Sequence, residues 1–257
     1  MDINLLALNV GNSRLAIGTF MNGILEHVVR VPIVERAKWG EAISEAWAKI
    51  AEMDEPEIAG ACVNLPALEN VEHIIRQIAD EPVQWVGREL DLPIRVKTQL
   101  PAETGVDRIL NIAAAYESME KACVVVDAGT AVTVDCCDDA GDFLGGAIAP
   151  GLSMMLDALH ERTAALPRVT FEPPGETFGT STESAIRQGV FFAIRGLVRD
   201  AAEHYAMELG RWPDIIATGG DAAKLFGGWE LIHAVSPDLT LHGIALAYAN
   251  HHIKHNT

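Results

Sequence analysis

Two stretches of the chain share one rhythm of apolar and polar positions. The first runs from the apolar Leu5–Leu8 through Asn9, Val10, Gly11, Asn12, Ser13 and Arg14, and back into Leu15, Ala16 and Ile17. It then passes Gly18 to Asn22 and enters a second apolar run, Ile24 to Val31. The other starts with Cys123, Val124, Val125 and Val126, turns at Asp127, Ala128, Gly129 and Thr130, and continues from Ala131 to Asp135. It turns again around Asp138 to Asp142 and reaches Phe143 to Ala149. Asn9 falls on Asp127, Gly11 on Gly129 and Asn12 on Thr130, a constant offset of 127 − 9 = 118. Short β-branched runs bounded by Gly, Asn and Asp predict strand, turn, strand, turn, strand in both stretches. Helical spacing follows each, over Trp39 to Ile50 and more strongly over Ile186 to Leu209. An offset this long does not suit a solenoid and predicts a duplicated domain.

The helix-like stretch Asp107 to Glu120 marks the divide, with expected halves at residues 1–115 and 116–257. No Pro/Ser/Gly-rich linker separates them, so the halves are expected to pack together. The last third adds a compact unit. Pro213 to Thr218 predicts a strand running into Gly219, Gly220 and Asp221, with a helix from Ala222. Such a junction can lay backbone N–H groups beside a ligand.

Charge narrows the partners. The 257 residues carry 19 Lys+Arg against 36 Asp+Glu, a net charge of 19 − 36 = −17. Phosphate-backbone affinity needs clustered cations, so neither nucleic acid nor an anionic membrane surface is an expected partner. No run of eighteen apolar residues lacks a charge, and Met1, Asp2, Ile3 and Asn4 form no basic export leader. Cys62, Cys123, Cys136 and Cys137 show no zinc spacing. Cys123, Cys136 and Cys137 lie in strand-like apolar runs, which predicts reduced, buried thiols and a cytoplasmic protein.

The Asp127–Thr130 turn has a physical use. Gly129 lets backbone approach an anion, the Thr130 hydroxyl and nearby N–H groups can donate to phosphate oxygens, and Asp127 can hold a neutralising cation. The plain alternative for one such turn is a solvated β-turn. Two at matching repeat positions suggest a phosphate tail gripped from both sides. A P-loop is excluded, since no GxxxxGK[ST] occurs. Asp107, at an expected helix start beside Arg108, suits a general base with an anion holder, or equally an N-terminal carboxylate favoured by the helix dipole. Gly145 to Gly151 suggests a close-packed strand-to-helix corner before the helical run Leu152 to Leu159. Thr182 suits a helix cap better than a substrate contact. His251, His252 and His255 suggest a frayed, solvated tail rather than a metal site.

Taken in order, these segments resemble the type III pantothenate kinase family of the actin/Hsp70/sugar-kinase-like superfamily. The matching residues are Gly11-Asn12-Ser13, Gly105-Val106-Asp107-Arg108, Asp127 to Thr133, Leu144 to Gly151, Ala164 to Pro167, Thr182 with Gly189, and Gly219 to Ala222. They cover nearly the whole chain. The resemblance implies an α/β fold of duplicated actin-like (ribonuclease H-like) ATPase domains, each a mixed five-stranded sheet with helices, around a cleft. It implies ATP-dependent phosphorylation of pantothenate at its primary hydroxyl, the first step towards coenzyme A, by a homodimer. By the same resemblance Asp107 is the catalytic base, and Gly105, Val106, Asp107, Arg108 and Thr182 contact pantothenate. Asn9, Val10, Gly11, Asn12, Ser13, Arg14, Leu15 and Ala16 form the first ATP-phosphate segment, with Thr130 a further ATP contact. Asp127 is the ligand for a monovalent cation, potassium or ammonium, beside ATP with Mg2+. Gly219 to Ala222 resembles the adenosine motif.

Two departures from the family pattern matter, and a third is mild. Asn9 stands where the family has Asp, so an amide replaces a charge near Mg-ATP. Ser13 for Thr keeps the hydroxyl. The family's usual Tyr before the Gly-x-Asp-Arg motif is missing from Arg95 to Leu100, and Thr98 takes that position among the expected substrate contacts. Two other functions remain in competition. One is a nucleotide-binding pseudokinase acting through partners, as relatives labelled Bvg accessory factors suggest. The other is a kinase of this fold with a different acceptor.

Overall fold

A computed structural model describes residues 3–79 and 81–255. Strands β1 (Asn4–Val10), β2 (Arg14–Met21) and β3 (Ile24–Pro32) form an antiparallel meander. β4 (Pro56–Cys62) and β5 (Gln84–Trp85) add in parallel on the free side of β1, giving the order β3-β2-β1-β4-β5. The pattern then repeats. β6 (Cys123–Ala128), β7 (Ala131–Cys137) and β8 (Phe143–Pro150) make the second meander. β9 (Asp214–Thr218) and β10 (Ala234–Val235) extend it in parallel, so the second sheet has the order β10-β9-β6-β7-β8. The 118-residue offset therefore maps strand onto strand, β1 onto β6 and β2 onto β7.

Helices α1 (Trp39–Trp47), α2 (Leu65–Ile78), α3 (Val106–Met119), α4 (Leu152–Glu161), α5 (Thr182–Leu209), α6 (Ala222–Phe226) and α7 (Leu239–His255) surround the sheets. β1 is apolar at nearly every position because both its faces are covered. Leu6, Leu8 and Val10 pack with Trp39, Ile43, Leu68 and Val71 of α1 and α2. Leu5 and Ala7 pack with Leu110 of α3 and Leu241, Ile244 and Tyr248 of α7. In the second sheet Val124, Val126, Val132 and Val134 meet Leu152 and Leu156 of α4 and Ile186, Val190, Ile194 and Val198 of α5. Each such side chain contributes about 1.5–3 kcal/mol of burial.

The chain separates into two compact units. The first takes its residues from Met1–Arg95, Gln99–Ala114 and Leu239–Thr257, and the second from Val96–Thr98 and Ala115–Asp238. A single cut at 115/116 cannot express two exchanges. The C-terminal α7 returns to the first sheet, because its apolar side covers Leu5, Ala7, Ala59 and Ala61. Val96 bridges to Phe143 and Lys97 N–H donates to the Phe143 carbonyl at 2.8 Å, which holds residues 96–98 on the edge of β8.

Smaller differences have local causes. The expected turn at Gly18 to Asn22 shrinks to Asn22 and Gly23, with φ of 50° and 79°, because β2 stays paired as far as Met21. The expected frayed histidine tail is helical through His255. His251 Nδ1 lies 3.7 Å from an Asp91 carboxylate oxygen, and the His252 ring lies against Tyr248 at a 44° tilt, 4.3 Å between centroids. Cys123, Cys136 and Cys137 are buried free thiols, as their apolar context predicts. Cys123 and Cys137 sit opposite one another with sulfurs 3.4 Å apart. The shared hydrogen bond and burial hold the Cys123 thiol far above its usual range, and burial pushes Cys136 up to about 12.

Candidate active site

In the second unit β6 and β9 run parallel, so their C-terminal ends share one edge of the sheet, the edge where open α/β sheets bind ligands. Asp127 lies directly opposite Thr218 there. Two turns are locked together at this edge. The Asp221 N–H donates to the Ala128 carbonyl at 3.0 Å. Gly219 has φ of +95°, and a Cβ there would collide with the Ala128 carbonyl and the Asp127 carboxylate. The Gly219–Asp221 turn thus rests on the Asp127 turn, and only glycine fits between them.

The same turn is supported from β8. Gly151 N–H donates to the Thr130 carbonyl at 3.1 Å, and a Cβ at Gly151 would strike the carbonyls of Gly129 and Thr130. The Gly145 to Gly151 stretch is therefore the close-packed corner its sequence suggests. Gly129 differs from these. Its φ is not positive, and a Cβ there would meet its nearest atom, an Asp127 oxygen, at 3.5 Å. Nothing inside the fold demands glycine at 129. Its amide also donates to the Ala131 carbonyl at 3.0 Å and is committed to closing the hairpin. Thr130 is exposed beside it, and Asp127 is half-buried.

The first unit builds its version with different residues. Gly11 N–H donates to the Arg14 carbonyl at 3.1 Å, so this amide too closes its hairpin. Asn64, at the start of α2, caps nothing with its side chain and donates instead to the Gly11 carbonyl at 3.2 Å. Val63 N–H donates to the Val10 carbonyl at 3.1 Å, the counterpart of Asp221 on Ala128. Asn12 and Ser13 are exposed at the tip, and Asn9 is half-buried at the end of β1. Val10, Leu15 and Ala16 are core residues, at 0%, 0% and 8% exposure. Any part they take in binding is through backbone.

Asp107 occupies the first turn of α3, in the first unit. Its Oδ1 accepts the Arg108 N–H at 2.9 Å and lies over Gly105, where a Cβ would approach it to 2.7 Å. The carboxylate thus touches a helix amide, the contact expected of an acidic residue at a helix N-terminus, and is partly buried. Burial pushes its carboxyl above the ordinary range, opposed by the Arg108 N–H and guanidinium. A carboxylate held this way is a better proton acceptor near neutral pH than an exposed one.

Thr182 is not the cap of α5. Ser181 is the N-cap, its hydroxyl accepting the Ser184 N–H at 3.1 Å while Ser184 Oγ accepts the Ser181 N–H at 3.0 Å. This reciprocal box leaves the Thr182 hydroxyl exposed at the first helical position. Thr98 travels with the second unit, its methyl 3.9 Å from where a Cβ of Gly145 would stand. Gly105 to Arg108 belong to the first unit. Among the described residues no group of three or more His, Cys, Asp or Glu side chains could hold a metal ion. Asn64 had a readable signal as an Asn just before Leu65-Pro66, the mark of a helix start. Its hold on Gly11 had none, since 53 residues separate them.

The model of the type III pantothenate kinase family matches residues 5–204. The chain belongs to the type III pantothenate kinase family. A member from Desulfatibacillum aliphaticivorans is 34% identical over 252 residues, covering 95% of this chain and 97% of that one. Among solved structures, a Baf family transcriptional activator from Campylobacter jejuni superposes with a TM-score of 0.62 at 22% identity, over 95% of this chain and 98% of the other. ADP-bound MreB5 of Spiroplasma citri gives a TM-score of 0.51 at 11% identity, over 99% and 98%. These likenesses show the fold as duplicated actin-like domains. As a member of its family the chain is a kinase, a phosphotransferase.

Proposed function

We propose that this kinase transfers the γ-phosphoryl group of ATP to the primary hydroxyl of pantothenate, with Asp107 taking the hydroxyl proton. The observation that carries this reading is the Asp107 carboxyl, raised by burial yet anchored by the Arg108 N–H, within a chain of this family. Phosphoryl transfer asks mainly for positioning and charge compensation. Arg108 stands next to the base and suits the pantothenate carboxylate. The exposed hydroxyls of Ser13, Thr130 and Thr182 and the turn at Asn12 are suited to phosphate and substrate oxygens. Gly129, which no internal contact requires, suits close approach of a ligand.

ATP supplies the phosphoryl group, and Mg2+ neutralises its charge when bound. The Asp127 turn suits a further neutralising cation beside those phosphates. A half-buried carboxylate at Asp127 meets the Ala128–Thr130 turn, while the acidic chain offers few cations of its own. We assign a monovalent cation, potassium or ammonium, to Asp127, and adenosine to Gly219–Ala222. Homodimer formation and a cytoplasmic location are part of the same reading. No helix among the described residues is long and apolar enough to cross a membrane.

The deciding experiment is coupled ADP release with ATP, magnesium and potassium, with and without pantothenate. Pantothenate-dependent turnover is expected. Measurable ATP binding without it would leave a regulatory nucleotide-binding protein, the function that Asn9 favours. Turnover with another hydroxyl or carboxylate acceptor alone would move the specificity elsewhere.

A further inference from the structure

One polar atom at the Asp127 edge is left unexplained by the sheet itself. Thr133 Oγ1 is buried and has no hydrogen-bond partner. It belongs to β7, where Val132 and Val134, on the opposite face of the strand, are core side chains at 1% and 0% exposure. A valine would fill position 133 with the same shape and no orphaned oxygen. Leaving a hydroxyl unpaired in such a place is destabilising, so an unpaired one points to a partner that the protein atoms do not provide.

The register says where that partner sits. Thr133 is directly opposite Asp127 across the β6–β7 ladder, and Asp127 is directly opposite Thr218 across β6–β9. Side chains at directly opposed positions lie on one face with Cβ atoms about 4.5–5.5 Å apart. Thr218, Asp127 and Thr133 therefore form a row of oxygen-bearing side chains across three strands. That row lies on the face away from the α4–α5 core, which takes Val124, Val126 and Ala128 of β6. One carboxylate with neutral hydroxyls is a donor set for a singly charged ion. A divalent ion of the calcium or magnesium type gathers more carboxylate charge or keeps its water.

We propose that the Thr133 hydroxyl is a ligand of the monovalent cation at Asp127, an inference that rests on the assignment of that cation to Asp127. Thr133 is then the residue that turns a single carboxylate into an ion site. Its methyl group fills the strand position that valine would fill, and its oxygen replaces one water of the ion's shell. A hydroxyl at 133 is required for the ion and not for the fold.

The test is thermal unfolding of the full-length protein without nucleotide or pantothenate, titrated with potassium chloride against a choline chloride background of equal ionic strength. Potassium at a hundredfold excess over its Kd is expected to raise the melting temperature of the wild type by about 5–10 °C. Thr133→Val is expected to melt in choline at or above the wild type, and to lose the potassium shift or move its midpoint upward by about tenfold or more. Thr133→Ser keeps the hydroxyl and is expected to keep the shift. Asp127→Asn is expected to lose it. If Asp127→Asn loses the shift while Thr133→Val keeps its midpoint within about twofold of wild type, the cation stays at Asp127 and the role of Thr133 is overturned. A Thr133→Val protein that melts lower in choline and keeps the potassium shift overturns it too, because the hydroxyl then holds a structural water. If the wild type shows no shift, or both variants keep it, the assignment to Asp127 fails and the inference with it.

Discussion

Asp107 holds a stability cost and a chemical use in one carboxyl group. Its folded pKa lies above the unfolded value because burial disfavours the charge. Between the two values the folded state binds the extra proton, so stability falls as pH rises from the ordinary carboxylate range through the folded pKa. Above that pH the whole cost is present. Asp107→Asn removes it and still offers an oxygen to the Arg108 N–H. The variant is expected to melt at or above the wild type at pH 8, while kcat falls by ~10² or more, as for a lost general base. Paired calorimetry and ADP-release rates check both halves. A large fall in melting temperature would mean that the carboxylate is a structural cap. In the wild type, the acidic limb of kcat/KM is expected to titrate above the ordinary carboxylate range.

Asn9 makes a second prediction at this scale. It stands one residue before the end of β1, as the aligned Asp127 does in β6, and its neutral amide gives the first turn less charge to set against magnesium. Asn9→Asp is expected to tighten Mg-ATP binding or raise kcat, read from KM for ATP at fixed pantothenate. A clear loss would show that the first turn has been rebuilt around the amide.

Elements decide how firmly these residues are held. The α5 N-terminus is closed by Ser181 and Ser184, so Ser181→Ala is expected to cost about 1 kcal/mol of stability. Denaturant unfolding measures that cost. The Thr182 hydroxyl stays available in that variant, so KM for pantothenate should change less than for Thr182→Val. At the other end of the chain, α7 approaches α3 closely at Gly243, where a Cβ would come within 2.7 Å of the Leu110 Cβ and closer still to the Leu110 carbonyl. Gly243→Val is expected to destabilise by about 1–3 kcal/mol through overpacking. Most elements that carry the site were legible beforehand, because hydrophobic period and turn residues are local signals. β9 and the α3 start lie within a residue or so of their sequence limits, whereas β2 runs four residues past its expected end, to Met21, and β7 two past its own, to Cys137. The cap of α5 was not legible to the residue. Ser181 and Thr182 carry the same functional group, and only backbone geometry at the helix end separates cap from first turn.

For the first unit as a whole, α7 is indispensable. Leu241, Ile244 and Tyr248 are 2%, 0% and 8% exposed against the β1 and β4 face. Their burial contributes on the order of 5–9 kcal/mol. That is comparable to the entire stability of a typical domain, about 5–15 kcal/mol. Truncation after Asp238 is therefore expected to abolish soluble expression, or to leave a protein without a cooperative melting transition. A truncated chain with a normal transition would show that the first sheet stands without α7.

The repeat, the strand–turn–strand signatures, the acidic balance and the residues of the two matched turns were all determined by the sequence alone. Each depends on neighbours a few positions away, or on identity matched at a fixed offset. Tertiary structure decided the rest. It returned α7 to the first sheet and placed residues 96–98 on the edge of β8. It put Asn64 on the Gly11 carbonyl and set the Asp127 carboxylate against Gly219. It also left the Thr133 hydroxyl buried without a partner. These facts join residues tens to hundreds of positions apart, and burial, which raises Asp107 and isolates Thr133, exists only once the chain has closed around them.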